Sequence, residues 1–232
     1  MARVDKLAQH DIYTSSYQYV AVIMVAQTTA RKRRMTEYRT LEAFREHGGV
    51  MQVREALAKG IHPATLYRLN EKGAIKPMAR GLYGLADLPP FAQPDLVTIS
   101  LKVPRAVICL LSALAFHGLT EEIPHTIDCA MPRGAEPPRL AYPPLRIYWF
   151  STAAYAEGIA EHIVDGHTVR VYTPEKTLAD CFKYRNKLGM DTVLDALRRY
   201  RAKYGLNSDE LLRHARVCRV HNVMRPYLEA LL

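Results

Sequence analysis

A proline-rich segment divides this chain and limits what it can fold into. Residues 87–94 read Asp-Leu-Pro-Pro-Phe-Ala-Gln-Pro, with three prolines in eight positions. Each proline lacks a backbone N–H donor and biases the residue before it toward extended or turn conformations. A regular helix or central strand therefore cannot continue through this segment. The sequence predicts two folded parts joined by a linker at residues 87–94.

The composition is that of a globular protein. The 232 residues are 49% hydrophobic and 24% charged, which excludes a disordered or collagenous chain. The longest apolar run, residues 19–26, is far shorter than the ~18 residues that a membrane-spanning helix requires. That run also precedes its basic cluster, whereas a secretory signal has the basic residues first. We expect a cytoplasmic protein without a membrane span.

The cysteines and histidines lack the spacing of a metal site. No Cys-x-x-Cys pair occurs, and His214 and His221 are seven residues apart instead of the four that place two ligands on one helix face. Glycine-rich phosphate loops are absent from the sequence. We therefore expect no metal and no cofactor, and reduced structural thiols at Cys109, Cys129, Cys181 and Cys218.

Positive charge is concentrated in the first third of the chain. The formal net charge is +9, and residues 1–80 contribute +7 of it, with 14 Lys and Arg against 7 Asp and Glu. Residues 81–232 contribute only +2. A concentrated positive charge indicates a polyanionic partner such as DNA.

Residues 36–73 carry the start and stop signals of three helices. Thr36 is placed to N-cap the first helix, and Pro63 occupies the first position of the third, where a helix tolerates proline best. A glycine that suits a helix C-terminus follows each of the three helices: Gly48, Gly60 and Gly73.

Two short strands are predicted after the third helix. They surround a tight turn at Arg80-Gly81, so that three helices are followed by a hairpin. This order predicts a winged helix-turn-helix over residues 35–86, in which the third helix enters the DNA major groove.

The exposed face of the third helix supplies candidate DNA contacts. At 100° per residue, Leu66 and Leu69 share the buried side and Arg68 lies opposite them. The guanidinium of Arg68 matches the O6 and N7 acceptors of guanine. Ala64 and Thr65 can contact a thymine methyl, and the further predicted contacts to bases, phosphates or the minor groove are Tyr67, Lys72, Lys76 and Arg80. The alternative is that these residues form an ordinary solvated helix face.

The first 34 residues are predicted to be an extension with a flexible basic arm. Residues 31–34 read Arg-Lys-Arg-Arg, and Arg33 and Arg34 are candidate phosphate contacts. Residues 19–26 are alternatively a strand. Met24 and Met35 are alternative translation starts.

The part after the linker, residues 95–232, is predicted to be a larger α+β domain with a small, mostly antiparallel sheet. Thr173-Pro174-Glu175 has the chemistry of a helix start, and residues 132–144 are rich in proline and predict a loop. The predicted helices are residues 94–103, 105–117, 173–185, 191–204, 208–216 and 220–231, and the predicted strands are residues 126–131, 145–150 and 168–172.

No catalytic constellation stands out in the second part. Neither Asp128 nor Asp165 is followed by the acid-x-Lys of a PD-(D/E)xK nuclease, and Ser112 has no Gly-x-Ser-x-Gly elbow. His117 is a lone histidine at the end of an apolar helix, which is more often a structural residue than a catalytic one. We expect that the protein is not an enzyme.

Three stretches, taken in this order, resemble the AbiEi family of abortive-infection antitoxins, and the resemblance extends over residues 36–232. The first is Gly-Ile at 60–61, Leu-Tyr-Arg-Leu at 66–69, Gly-Ala-Ile at 73–75 and Ala-Arg-Gly-Leu-Tyr-Gly-Leu at 79–85. The other two are Leu-Leu-Ser-Ala-Leu-Ala-Phe-His-Gly-Leu-Thr at 110–120 and Thr-Pro-Glu-Lys-Thr-Leu-Ala-Asp-Cys-Phe-Lys-Tyr-Arg at 173–185. The extension before Met35 departs from the family pattern.

The resemblance implies an antitoxin of a type IV toxin-antitoxin system for phage defence. In that family the winged helix binds inverted repeats in its own promoter and represses it, and the C-terminal domain counters a nucleotidyltransferase toxin. The motif residues of the second part, whose role the resemblance leaves open, are Ser112, His117, Lys176, Asp180, Lys183 and Arg185. We expect Lys176, Lys183 and Arg185 at the surface or at a partner, and we favour an internal pair of Asp180 with Arg185 over an interface.

Two other functions fit the same residues. One is a plain winged-helix repressor whose C-terminal domain senses a small ligand. The other is a protein-interaction module in which the winged helix is only a scaffold.

Overall fold

The computed structural model describes residues 5–231, with side chains from residue 24 onward. The described residues form eleven helices and eight strands, which confirms the predicted α+β class. It divides into two compact units, one ending at Leu88 and the other beginning at Pro89. Among the described residues, no helix has both the length and the apolar character needed to cross a bilayer.

The first unit combines three helices with a three-stranded antiparallel sheet of order β1-β3-β2. In chain order its elements are α1 (Asp5–Glu46), β1 (Val50–Gln52), α2 (Val53–Ala58), α3 (Pro63–Glu71), β2 (Ile75–Ala79) and β3 (Leu82–Leu85). Its core includes Phe44, Met51, Leu66, Leu69, Ile75 and Leu85, all nearly inaccessible to solvent.

Local chemistry explains α2, α3 and the hairpin. Glu55 in the first turn of α2 accepts a hydrogen bond from the Gln52 backbone N–H at 3.0 Å. Pro63 begins α3, and Nδ1 of His62 accepts from the Ala64 N–H at 3.2 Å. β2 and β3 pair around Gly81, whose φ of +71° favours glycine. The prediction of these elements is confirmed.

The long helix α1 differs from what the sequence analysis predicted. Residues 5–34, expected to be a flexible arm, are helical, and so is the alternative strand at 19–26; residues 1–4 lie outside the described residues. Thr36 does not begin a helix but lies inside one, where its hydroxyl donates to the Lys32 carbonyl at 3.0 Å. The physical reason is that no proline or glycine precedes Gly48, so nothing in the sequence breaks the helix.

The second unit is a five-stranded sheet surrounded by helices. Its strands are β4 (Val107–Ile108), β5 (Ile127–Pro132), β6 (Leu145–Phe150), β7 (Ile159–Val164) and β8 (His167–Tyr172). Its helices are α4 (Pro94–Lys102), α5 (Leu110–Phe116), α6 (Thr152–Ala156), α7 (Pro174–Lys183), α8 (Arg185–Leu188), α9 (Met190–Tyr204), α10 (Ser208–Val217) and α11 (His221–Glu229).

The sheet of the second unit is mixed, which corrects the prediction of a mostly antiparallel one. Its order is β6-β5-β4-β8-β7, with antiparallel ladders β4–β5 and β7–β8 and parallel ladders β4–β8 and β5–β6. A parallel neighbour needs a connection of about a dozen residues or more, because the chain must return to the same end of the sheet. The proline-rich loop at residues 133–144 provides that connection between β5 and β6.

Candidate nucleic-acid interface

Helix α3 buries one face and exposes the other. Leu66 and Leu69 are 3% and 2% exposed, whereas Tyr67 is 64% exposed and Ala64 is also at the surface. The apolar face is held by the core of the first unit, so the opposite face is presented outward by a fixed helix. Ala64 and Tyr67 are therefore exposed as the helical period predicted, whereas Arg68 is only half-exposed.

Thr65 is the exception among the predicted contacts of α3. It was expected beside the exposed face, but it is buried, and its Oγ1 accepts a hydrogen bond from Nη2 of Arg68 at 3.2 Å. The reason is tertiary, because α1 packs against α3 on this flank. Thr65 is therefore not placed to contact a thymine methyl.

Arg68 and Lys72 share one carboxylate of α1. Nε of Arg68 lies 3.4 Å from Oε1 of Glu37, and Nζ of Lys72 lies 2.6 Å from Oε2. The two cations are one helical turn apart on α3, so both can reach a single side chain. The hydrogen bond from Lys72, together with the charges of Lys72 and Arg68, lowers the pKa of Glu37, which therefore stays ionised.

A groove of about 630 Å³ brings cations of α1 and α3 together. Arg33 and Arg34 line it from α1, and Arg68 and Lys72 line it from α3, with Glu37 between them. Four cations against one carboxylate give this groove an excess of positive charge. Such a groove attracts the phosphates of a nucleic acid.

Lys76 and Arg80 lie on the hairpin and not in the groove. Lys76 is exposed on β2, and Arg80 is exposed in the turn that joins β2 to β3. The predicted contacts therefore form two groups, one on α3 with the groove and one on the hairpin.

Glu37 is the residue that the sequence analysis missed. The sequence signal was the first acidic residue after the basic cluster at residues 31–34, three positions beyond Arg34. Its meaning depends on where α1 packs, because its partners Arg68 and Lys72 are 31 and 35 positions away in the chain.

The motif residues of α7 are mostly internal. Lys176, expected at the surface, is fully buried, and its Nζ lies 2.5 Å from Oδ2 of Asp180. Asp180 therefore pairs with Lys176 and not with Arg185, whose Nη1 donates instead to the Phe182 carbonyl at 2.9 Å. The reason is that α5, α9 and α10 all pack against α7, so that hardly any of its surface is left for solvent. Lys183 at the end of the helix is exposed, as expected.

Ser112 and His117 hold elements of the second unit together. Oγ of Ser112 accepts from the Asp128 N–H at 2.9 Å, which ties α5 to β5. Nε2 of His117 donates to the Tyr172 carbonyl at 2.7 Å, and burial lowers the pKa of this histidine. These contacts agree with the interpretation of His117 as a structural residue.

The described residues contain no cluster of three or more His, Cys, Asp or Glu side chains that could hold a metal ion. The four cysteines are buried free thiols, and burial raises the pKa of each of them, so that they stay protonated.

Comparison with known proteins places the first unit. The search of curated proteins returns no match to the chain. A family model described as "Transcriptional regulator, AbiEi antitoxin" matches residues 38–86, from the last turns of α1 to the residue after β3. The resemblance expected from the sequence is thereby confirmed for residues 38–86, which are similar to the AbiEi antitoxin family of transcriptional regulators.

Proposed function

We propose that the chain is an autoregulating antitoxin that binds the DNA of its own promoter and represses it. The observation that carries the proposal is α3, which lies inside the segment that matches a regulator family. One face of this helix is fixed in the core, and the opposite face carries the exposed Ala64 and Tyr67 and the half-buried Arg68. Helix, turn, helix and hairpin follow one another as in a winged helix-turn-helix.

The proposed docking places α3 in the major groove and the hairpin beside it. Arg68 reads a guanine, and Ala64 and Tyr67 contact neighbouring base edges or sugars. Lys72, Lys76 and Arg80 bind phosphates, with Arg80 at the hairpin turn able to reach a minor groove. Arg33 and Arg34 extend the phosphate contacts along α1. Thr65 is left out of this set because it is buried.

The second unit is proposed to counteract a nucleotidyltransferase toxin without being an enzyme itself. This part of the proposal follows the resemblance of residues 110–120 and 173–185 to the family. The non-enzymatic part of the proposal is supported by the motif side chains Ser112, His117, Lys176 and Asp180. Their contacts are internal and hold the fold, and none of them presents a reactive group.

Two cellular assays test the proposal. In the first, a reporter driven by the DNA upstream of this gene is repressed by the whole chain and is released by Arg68→Ala at an equal protein level. In the second, a nucleotidyltransferase from the neighbouring gene is toxic alone and harmless with the chain. Repression of the reporter without a toxin in the neighbouring gene would favour the ligand-sensing repressor. A reporter that the chain does not repress would reject promoter binding.

A further inference from the structure

We infer that Glu37 and Thr65 are positioning residues that hold one edge of the Arg68 guanidinium, so that its other edge reads a guanine. The inference rests on the proposed DNA binding by α3 and adds to it the residues that determine specificity. Neither Glu37 nor Thr65 needs to touch DNA for this role.

The geometry assigns the two edges of the guanidinium. Nε of Arg68 faces Oε1 of Glu37 at 3.4 Å, and Nη2 faces Oγ1 of Thr65 at 3.2 Å. These two nitrogens form one side of the planar fork. A guanidinium has five N–H donors, so the side formed by Nη1 and the second hydrogen of Nη2 is left to bind a pair of acceptors. The O6 and N7 atoms of guanine are such a pair.

The two acceptors are themselves held in place. Thr65 is buried, and only 12% of the Glu37 side chain is exposed, whereas 35% of the Arg68 side chain is. The long, flexible side chain of Arg68 is thus hydrogen-bonded to two side chains that the fold immobilises. Because less rotamer freedom is lost on binding, a preorganised arginine discriminates bases better than a mobile one.

Lys72 keeps this arrangement charged. Its Nζ binds the other oxygen of Glu37 at 2.6 Å, so the carboxylate remains an acceptor for Arg68. Two cations share one negative charge, which leaves a net charge of +1 beside the DNA. The same side chains therefore orient the fork without cancelling its attraction to phosphates.

Selection from a library of randomised duplexes tests the inference. The full chain is compared with Arg68→Ala, Glu37→Gln and the control Glu42→Gln, which removes an equally charged residue of α1 that binds Arg45 at 2.6 Å. We expect the wild type to select guanine at one position. In both Arg68→Ala and Glu37→Gln, the preference for this guanine should fall by about fivefold or more. Glu42→Gln retains it. Thr65→Val removes only the hydroxyl acceptor and should weaken the preference for guanine at the same position.

The possible outcomes separate this inference from the proposed function. If Arg68→Ala loses the guanine but folded Glu37→Gln and Thr65→Val keep it, the positioning role is wrong and DNA reading by Arg68 stands. If Arg68→Ala keeps every preference, Arg68 is not the reader and the inference is overturned. If the wild type selects no sequence, the proposed sequence-specific binding fails as well. Thermal unfolding verifies that each variant is folded, and Thr65→Val provides a second test should Glu37→Gln unfold.

Discussion

Lys176 and Asp180 form an ion pair inside the hydrophobic core of the second unit, with Nζ 2.5 Å from Oδ2 across one turn of α7. The ammonium also lies 4.1 Å from the ring centre of Tyr172 and 4.9 Å from that of Phe150. Sγ of Cys218 donates to the other oxygen of Asp180 at 3.1 Å. Each charge is therefore satisfied only while its partners are present.

Removing one charge of this pair should destabilise the second unit strongly. Lys176→Met leaves Asp180 buried without its cation, and breaking a buried pair in this way costs about 3–5 kcal/mol. Urea unfolding monitored by circular dichroism measures the loss. The matched control is Lys183→Met at the exposed end of the same helix, which should change stability by less than about 0.5 kcal/mol. Equal midpoints for the two variants would show that the pair does not hold the core.

Gly158 lies against the same pair and cannot carry a side chain. Its φ is +70°, and a Cβ there would lie 2.6 Å from Cβ of Lys176 and 3.0 Å from Cε1 of His214. Gly158→Ala should cost about 2–5 kcal/mol, because overpacking adds to the left-handed backbone strain. Gly166 has a φ of +80° with nothing within 4 Å, so Gly166→Ala isolates the strain, about 1–2 kcal/mol. Thermal unfolding compares the two, and a smaller loss at Gly158 would contradict the crowding.

Asp128 should make stability fall as the pH rises. Burial raises its pKa to about 6 from an ordinary value of 3.8, and Nη1 of Arg146 lies 3.8 Å from its carboxylate. Between these two pH values the folded state holds a proton that the unfolded state has released, so the slope of stability against pH is negative. The protonated Asp128 contributes up to about 3 kcal/mol to the free energy of unfolding. This contribution is fully present below the unfolded-state pKa and is lost as the pH rises through the folded-state pKa.

Asp128→Asn removes the titrating group and keeps the shape of the side chain. Urea unfolding from pH 4 to 7 should show that the difference in stability between the variant and the wild type grows with pH in favour of the variant. A difference that stays constant over this range would mean that Asp128 ionises in the fold as easily as in the unfolded chain.

Lys76 should contribute to DNA affinity without contributing to specificity. If Lys76 binds a phosphate as proposed, Lys76→Ala should weaken all duplexes alike and flatten the slope of log K against log salt by about 0.9. Arg45→Ala is the control, because its guanidinium binds Glu42 at 2.6 Å at the end of α1. A change of base preference on Lys76→Ala would instead assign this lysine to a base edge.

Local signals sufficed for α2, α3 and the hairpin. Pro63 and Gly73 bracket α3, and the spacing of Leu66 and Leu69 identifies its buried face. These signals act within a few residues, so they are visible in sequence before any tertiary contact is known. The same holds for the helix start at Thr173, whose hydroxyl accepts from the Lys176 N–H at 3.3 Å.

The features that the sequence did not reveal depend on tertiary packing. Lys176 follows a helical pattern that assigns it to the surface, and only the helices around α7 bury it. β7 escaped notice because Ile163 is 74% exposed, so its apolar residues do not mark a buried face. Glu37 and Thr65 belong to the candidate site through the packing of α1 on α3. None of these contacts leaves a periodic trace in the sequence.

Fluorescence anisotropy on the DNA upstream of this gene, beside a shuffled duplex and from low to physiological salt, tests promoter binding most directly. We expect the whole chain to prefer the upstream duplex at physiological salt, and Arg68→Ala to lose about 1–3 kcal/mol of that preference while remaining folded. Equal binding of both duplexes that disappears at physiological salt would contradict sequence-specific recognition by α3.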